Sequence, residues 1–315
     1  MNLKNCLIVA LVFVITFTAC KPDDPTFIPV PDRDRTEQQV VDRDSLIGYM
    51  ETHYYNSGEL STPGVDYTID DIVITELPQD DNGNYLDLPN PDENTLLIDA
   101  VQTYTRTYFD VEYEYYVLTI NEGGSDYNPN FTDLVEIVYS GNTLDEEVFD
   151  SAINPNSPFD MVNLIEGWRQ VIPKFKTSAS FTINPDGTVE YSDYGIGVMF
   201  LPSGLAYFSN PPFGIDVYSN LIFKFELYRA QENDHDQDGI PSQFEDLNGN
   251  MNIDDDDTDE DVIPNYFDAD DDGDGVLTIY EDLDEDGDPR NDDSDGDGIP
   301  NYLDEDSTES NQDNS

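Results

Sequence analysis

The sequence predicts an α+β protein in which a β-rich body follows a helix-and-strand segment and precedes an acidic repeat tail. Three observations predict it. Apolar and polar residues alternate through Val111, Tyr113, Tyr115 and Val117, through Leu134 to Tyr139, and through Asn220 to Leu227, the period of strands with one buried face. Between Thr36 and Asn56 the apolar residues Val40, Leu46, Ile47, Met50 and Tyr54 mark one face of a helix. Charge is uneven as well: of 70 acidic residues, 33 lie between Gln231 and Ser315, against one basic residue there, Arg290. The rest is acidic but ordinary enough to fold.

A length of 315 residues leaves room for about two domains. The net charge of −58 argues against nucleic acid or an anionic membrane surface as an electrostatic partner.

Residues 1–19 have the pattern of a signal peptide. Lys4 precedes the apolar run Leu7 to Phe17, too short to span a bilayer well, and Thr18-Ala19-Cys20 closes it. Small residues directly before a cysteine resemble the bacterial lipobox, with Phe17 where leucine is usual. That resemblance implies a lipoprotein whose mature N-terminus is Cys20, acylated by palmitate or a similar chain. Such a protein is anchored to a membrane of the cell envelope, expected to be the outer one, and faces the periplasm or the surface. An ordinary secretory signal with an incidental cysteine is the alternative. Cys6 leaves with the signal, so the mature chain has no pair for an internal disulfide. Residues 20–35, with Pro22, Pro25, Pro29 and Pro31, form an extended tether.

Residues 36–110 make an accessory segment. Its helix ends at Ser57-Gly58, Pro63-Gly64 turns the chain, Ile69 to Leu77 alternates as a strand, and Asp80 to Asn84 is a further turn. It holds no glycine-rich phosphate loop. Its lone histidine, His53, sits on the expected helix as a surface or packing residue. The expected role is a dimerisation or substrate-holding arm.

The body, residues 111–230, carries an ordered set of motifs. The strand to Tyr139 is closed by Ser140-Gly141; then come Phe149-Asp150-Ser151, Pro158-Phe159, and Leu164-Ile165-Glu166-Gly167-Trp168, with the only tryptophan of the chain. Leu201-Pro202-Ser203-Gly204-Leu205-Ala206-Tyr207 and the strand Asn220 to Leu227 follow. A plain core has no need of a lone tryptophan after Ile-x-Gly together with Phe-Asp and Ala-Tyr pairs in this order. Over about a third of the chain the order resembles the FKBP-type peptidyl-prolyl cis-trans isomerases. The resemblance implies a curved antiparallel sheet wrapped on a short helix. It implies a pocket with Trp168 as floor and Tyr139, Phe149, Phe159, Leu164, Ile165, Ile215 and Phe223 as walls. The Ile165 amide and the Tyr207 hydroxyl would donate to a substrate, and Asp150 would lie near the amide or bond a neighbouring tyrosine. Clients would be proline-containing polypeptides, and catalysis would need no cofactor. Three departures stand out. Met161 replaces a common aromatic, no glycine directly follows Tyr207, and a hairpin turning at Asn184-Pro185-Asp186-Gly187 is extra.

The tail repeats itself. Shifted by 36 residues, Asp234–Ala269 matches Asp270–Glu305 at 16 of 36 positions, among them Ile-Pro-Asn-Tyr. Carboxylates at positions 1, 3 and 5, a glycine at 6 and an acid at 12 wrap a hard cation in oxygen. Asp234, Asp236, Asp238, Gly239 and Glu245 fit this, as do Asp270, Asp272, Asp274, Gly275 and Glu281. Asp293, Asp295, Asp297 and Asp304 fit with a shorter last ligand, while Asp257, Asp259, Asp261 and Asp268 have Val262 in place of the glycine. Asp268 and Asp270 nearly touch in sequence, which leaves no room for EF-hand helices. The tandem loops resemble thrombospondin type 3 repeats, which implies calcium ions in place of a hydrophobic core. A solvated, partly disordered acidic tail is the alternative.

The expected function is prolyl isomerisation on exported proteins by a lipid-anchored envelope protein with a calcium-binding spacer. Two rivals stand beside it: a non-catalytic chaperone or assembly factor that holds proline segments, and a surface structural protein whose calcium repeats are the point.

Overall fold

A computed structural model describes residues 31–154 and 157–312. The signal segment, Cys20 and most of the tether lie outside the described residues.

Helix α1 (Arg35–Thr52) starts under Asp34, whose carboxylate accepts the Glu37 amide at 3.0 Å, an N-cap bond. Its buried stripe is Gln38, Asp42, Leu46, Tyr49 and Met50. Val40, expected on that stripe, is exposed. The polar residues displace it because each is bonded: Asp42 takes the Gln38 amide at 2.6 Å and the Ser203 amide and hydroxyl at 2.9 and 2.6 Å. The helix ends four residues before the expected Asn56, because β1 (His53–Tyr55) pairs with β2 (Ile74–Glu76) and β3 (Thr95–Leu96). His53 is therefore off the helix, buried and stacked on Tyr49 with centroids 3.7 Å apart. The expected strand Ile69 to Leu77 shrinks to β2. Ile69–Asp71 is instead a single tight turn that Thr68 and Asp71 cap reciprocally. A short α2 (Leu97–Ala100) follows β3.

The main sheet is built from β4 (Gln102–Tyr108), β5 (Val111–Asn121), β6 (Leu134–Thr143), β7 (Val148–Ala152) and β8 (Phe159–Asp160). After α3 (Glu166–Val171), the expected extra hairpin forms as β9 (Ser180–Ile183) and β10 (Val189–Ser192). Then β11 (Gly195–Leu201) and β12 (Leu221–Gln231) return to the sheet. Its order is β4-β5-β11-β12-β6-β7, with β8 on β6, and every pairing is antiparallel. Register shifts at Ile196/Gly197 and Leu227/Arg229 are where bulges add bend and twist. The boundary expected at residue 110 falls inside the β4–β5 hairpin, so the sheet begins earlier than its motifs do.

Both faces of the sheet are covered. Val117, Ile137, Met199, Phe223 and Phe225 meet Trp168 and Val171 of α3. Leu118, Val198, Phe200 and Ile222 meet Leu46, Tyr49 and Met50 of α1 and Leu97 of α2. The accessory segment is thus the second layer of the body, where an arm had been expected. Leu46, Met50 and Leu97 are fully buried there, each contributing about 1.5–3 kcal/mol by transfer from water. On the first face, Gly167 lets α3 settle onto β11: a Cβ at that position would lie 2.3 Å from a Leu201 methyl. The expected class holds, an α+β fold with a curved antiparallel sheet wrapped on a short helix.

The tail is a chain of loops and single-turn helical segments from Ser242–Phe244 to Asn301–Leu303. It packs on the body. Ile253 and Tyr266 join Phe131, with Val162 and Met251 alongside. His235 Nε2 lies 3.2 Å from Asp160 Oδ2, and Arg106 Nη2 donates to the Asn250 carbonyl at 2.9 Å. Among the described residues no helix is long and apolar enough to cross a membrane.

Candidate functional site: a ring-lined pocket and an acidic loop array

Trp168 is the centre of an aromatic cluster. Its ring meets Phe223 at 5.1 Å, Tyr139 at 5.4 Å and Phe225 at 5.9 Å, all edge-on, and Phe159 meets Tyr139 edge-on at 5.8 Å. Such contacts add about 0.5–1.5 kcal/mol each beyond area burial, so the rings hold fixed orientations. Above them opens a cavity of about 180 Å³, lined by Ile137, Tyr139, Asp150, Phe159, Asn163, Leu164, Ile165, Trp168, Tyr207 and Phe223. No Ser, Cys, His or Lys lines it. A larger groove of about 620 Å³ runs past residues 60–67 and 192–193. It is more open and polar, and no ring cluster floors it.

Eight of the ten residues predicted for the pocket line this cavity. Two do not. Phe149 stands behind the wall, edge-on to Phe223 at 5.6 Å, a close approach that needs Gly141, where a Cβ would lie 2.6 Å from the Phe223 ring and 2.8 Å from Phe149. Ile215 is buried in the core cluster below. Two lining residues escaped sequence reasoning. Ile137 lies two residues before Tyr139 on β6 and so shares its face, a signal that was present. Asn163 carried none.

The polar groups sit at the rim. The Tyr139 hydroxyl donates to Asp150 Oδ2 at 2.7 Å, and Asp150 Oδ1 accepts the Ser151 amide at 2.9 Å. Of the two places open to Asp150, it takes the tyrosine partner. Burial, and then the Asp150 carboxylate, raise the Tyr139 pKa above the ordinary phenol value. Burial and the same charge raise Tyr207, so both hydroxyls stay protonated donors at neutral pH. Tyr207 follows the turn Ser203–Leu205, which Asp42 of α1 holds through the Ser203 amide and hydroxyl. The accessory helix therefore holds the turn that leads to the Tyr207 hydroxyl at the pocket rim. Burial raises the Asp42 pKa despite these bonds.

Beneath Ile165, which caps α3, Glu166 is 3 % exposed. Its Oε1 accepts from Arg106 Nε at 2.7 Å and Gln170 Nε2 at 2.9 Å. Arg169 lies 3.1 Å from Oε2, an ion pair short of hydrogen-bond geometry.

The tail loops share one construction. Asp234 accepts the Gln237 and Gly239 amides, Asp293 those of Gly296 and Gly298, and Asp257 that of Val262. The fifth-position carboxylates Asp238, Asp261, Asp274 and Asp297 each accept the amide two residues on, at 2.6–2.8 Å. One oxygen is thus satisfied by backbone while others turn inward. Asp236, Asp238, Asp270, Asp272 and Asp274 each keep one buried oxygen, and Glu245 and Glu281 both of theirs, without a hydrogen-bond donor among the described residues. At about 5 Å and an effective dielectric constant near 20, two such charges repel by about 3 kcal/mol. Burial first, then neighbouring aspartates, push Glu245 and Glu281 each up to about 9. In the loop from Asp257, Val262 adopts φ +84° where the other loops have glycine, a strained conformation for a β-branched residue. The predicted ligands thus fall into unequal sets: the loops from Asp234 and Asp270 hold several buried oxygens without donors among the described residues, the loop from Asp257 holds one, on Asp257 itself, and Asp259, Asp261, Asp268, Asp293, Asp295, Asp297 and Asp304 hold none. The grouping of Asp282 with Asp284 and Asp292 was not predicted. Asp282 accepts the Asp286 and Gly287 amides as the other loop-opening aspartates do.

Known proteins resemble the chain in part. It is 28% identical over 96 residues to FK506-binding protein 1 of Kluyveromyces lactis, 29% of this chain and 84% of that protein. It is 28% identical over 106 residues to FK506-binding protein 1 of Eremothecium gossypii, 32% of this chain and 80% of that protein. A family model described as BamM C-terminal matches residues 235–287, inside the tail. Among solved structures, a peptidyl-prolyl cis-trans isomerase of Pseudomonas syringae superposes loosely, with TM-score 0.34 and 16% identity over 64% of this chain and 100% of that one. FkpA of Escherichia coli gives TM-score 0.30 and 23% identity over 40% and 51%.

Proposed function

We propose that the body is a peptidyl-prolyl cis-trans isomerase acting on proline-containing segments of exported proteins, held to an envelope membrane through Cys20 and followed by a calcium-binding tail. The observation that carries the enzymatic reading is the Trp168-floored pocket, apolar within and edged by two protonated tyrosine hydroxyls. An X–Pro amide resists rotation because resonance sets a barrier of roughly 18–20 kcal/mol. No nucleophile or proton transfer is required to lower it; a site that fits the twisted amide better than the planar one suffices. The prolyl ring rests on Trp168 between Tyr139, Phe159 and Phe223. Tyr207 donates to a substrate carbonyl, and Asp150 keeps the Tyr139 hydroxyl turned aside.

A protease-free prolyl-peptide assay on the full chain tests this. Tyr207→Phe should slow isomerisation about tenfold, the worth of one hydrogen bond made in the twisted state. Asp150→Ala should slow it less, by freeing Tyr139. Both should leave the circular dichroism spectrum unchanged. If micromolar wild type does not accelerate the reaction yet retains proline peptides, the chaperone reading replaces the enzymatic one.

The anchor has its own test. Cys20→Ala should move the protein from membranes to the soluble fraction or leave its signal uncleaved. Unchanged processing and membrane association would refute lipidation there. For the tail, the inward carboxylate oxygens without donors suit calcium, which accepts six to eight oxygen ligands in flexible geometry. Asp234, Asp236, Asp238 and Glu245 hold one ion and Asp270, Asp272, Asp274 and Glu281 another, with the more open loops weaker.

A further inference from the structure

Position 2 of a calcium loop is not a ligand position, yet in this tail it is where consecutive units meet. His235 holds that position in the loop from Asp234. Its Nε2 reaches Asp160 of the body at 3.2 Å, while its Nδ1 lies 2.8 Å from Ser242 Oγ of its own loop. Asp271 holds the same position 36 residues later, in the loop from Asp270. It turns toward Asp238 and Glu245 of the preceding loop, with oxygens of the three within 4.8 Å of one another.

We propose that Asp271 is a ligand to the first loop's cation, so that Asp238, Glu245 and Asp271 form one hard-cation site shared between two loops. The inference rests on the calcium reading of those loops. Three observations carry it. Asp238, Glu245 and Asp271 are each about 1 % exposed. Both oxygens of Glu245, both of Asp271 and Asp238 Oδ2 have no hydrogen-bond donor among the described residues. No ion pair with lysine or arginine is found for any of the three among those residues. Three buried carboxylates in contact need positive charge, and no lysine or arginine among the described residues pairs with them. An all-carboxylate donor set drawn from separate segments selects a hard divalent ion and disfavours soft metals. Asp238 is already aimed, since its other oxygen accepts the Ile240 amide at 2.8 Å. The ion then fastens the third loop to the first, which His235 in turn holds against the body.

Calcium titration by calorimetry on the chelator-stripped full chain tests the assignment, with Asp271→Asn compared with Glu305→Gln. The latter removes one acidic charge at an exposed position. Asp271→Asn should lose one calcium equivalent or weaken it about tenfold or more, as expected when a charged ligand is removed. Glu305→Gln should match wild type. If wild type binds calcium and Asp271→Asn binds the same number equally well, the assignment of Asp271 falls and the loop reading stands. If wild type binds none, the loop reading falls and takes this inference with it. Should Asp271→Asn misfold, Asp271→Glu decides: the longer carboxylate at this buried position should change the affinity of one calcium equivalent, and a titration indistinguishable from wild type overturns the proposal.

Discussion

Glu166→Ala should cost the full chain about 3–5 kcal/mol of stability, the range for breaking a buried ion pair from one side. The carboxylate is nearly inaccessible and answers two cations at once, Arg106 of β4 and Arg169 of α3. Removing it leaves both guanidinium groups largely buried without the anion they share, and Gln170 without its carboxylate acceptor. The damage should also reach the tail, because Arg106 spends its second nitrogen on the Asn250 carbonyl. Denaturant melts followed by the single tryptophan, run in excess calcium, measure the change directly. Glu166→Leu combined with Arg106→Leu should cost less than Glu166→Ala, since exchanging a buried pair for apolar side chains is often near neutral. A loss under about 1 kcal/mol in Glu166→Ala would show that the triad is solvated and carries little of the fold.

The pocket was legible because its residues announce themselves locally. Tyr139 ends an alternating strand, Phe149-Asp150 and Ala206-Tyr207 are adjacent pairs, and Trp168 follows a glycine that has a packing reason, the Leu201 methyl beneath it. What was missed depends on contacts between distant segments. Asp42 holds Ser203 across 161 positions, and nothing near Asp42 in sequence distinguishes a buried acceptor from a surface aspartate. The layering over the sheet did leave a signal. Gly195-Ile-Gly-Val-Met-Phe-Leu201 is continuously apolar and buried at every position, the mark of a strand covered on both faces. Weighed fully, that run demands a second layer, and the helix before it was available to supply one. In the tail, pattern matching found the carboxylates that turn inward within their own loops. It did not find Asp271, because a side chain turned toward a neighbouring loop obeys the geometry between loops and not the spacing within one.

Metal-free protein should lose its compact tail as pH rises, and calcium should reverse that dependence. Glu245 and Glu281 are held up to about 9 and Asp271 up to about 10, in each case by burial and then by neighbouring carboxylates. These folded-state values lie above the unfolded carboxylate range of about 4, so the folded tail binds more protons than the unfolded one. Stability is then fully present below about pH 4 and declines as pH climbs toward 9–10, by up to about 1.4 kcal/mol per pH unit for each group. At pH 8 the metal-free tail should be swollen by repulsion among its carboxylates; at pH 5 it should contract. Calcium takes the place of those protons, so binding near pH 7.5 should release about three per chain and tighten as pH rises. Calorimetry in buffers of different ionisation enthalpy counts the protons, and light scattering follows the radius. Magnesium should contract the tail far less, because it demands a small octahedral shell that these loops do not offer. Equal contraction by calcium, magnesium and sodium chloride at matched ionic strength, with no proton release, would reduce the effect to screening and leave the tail an acidic bristle.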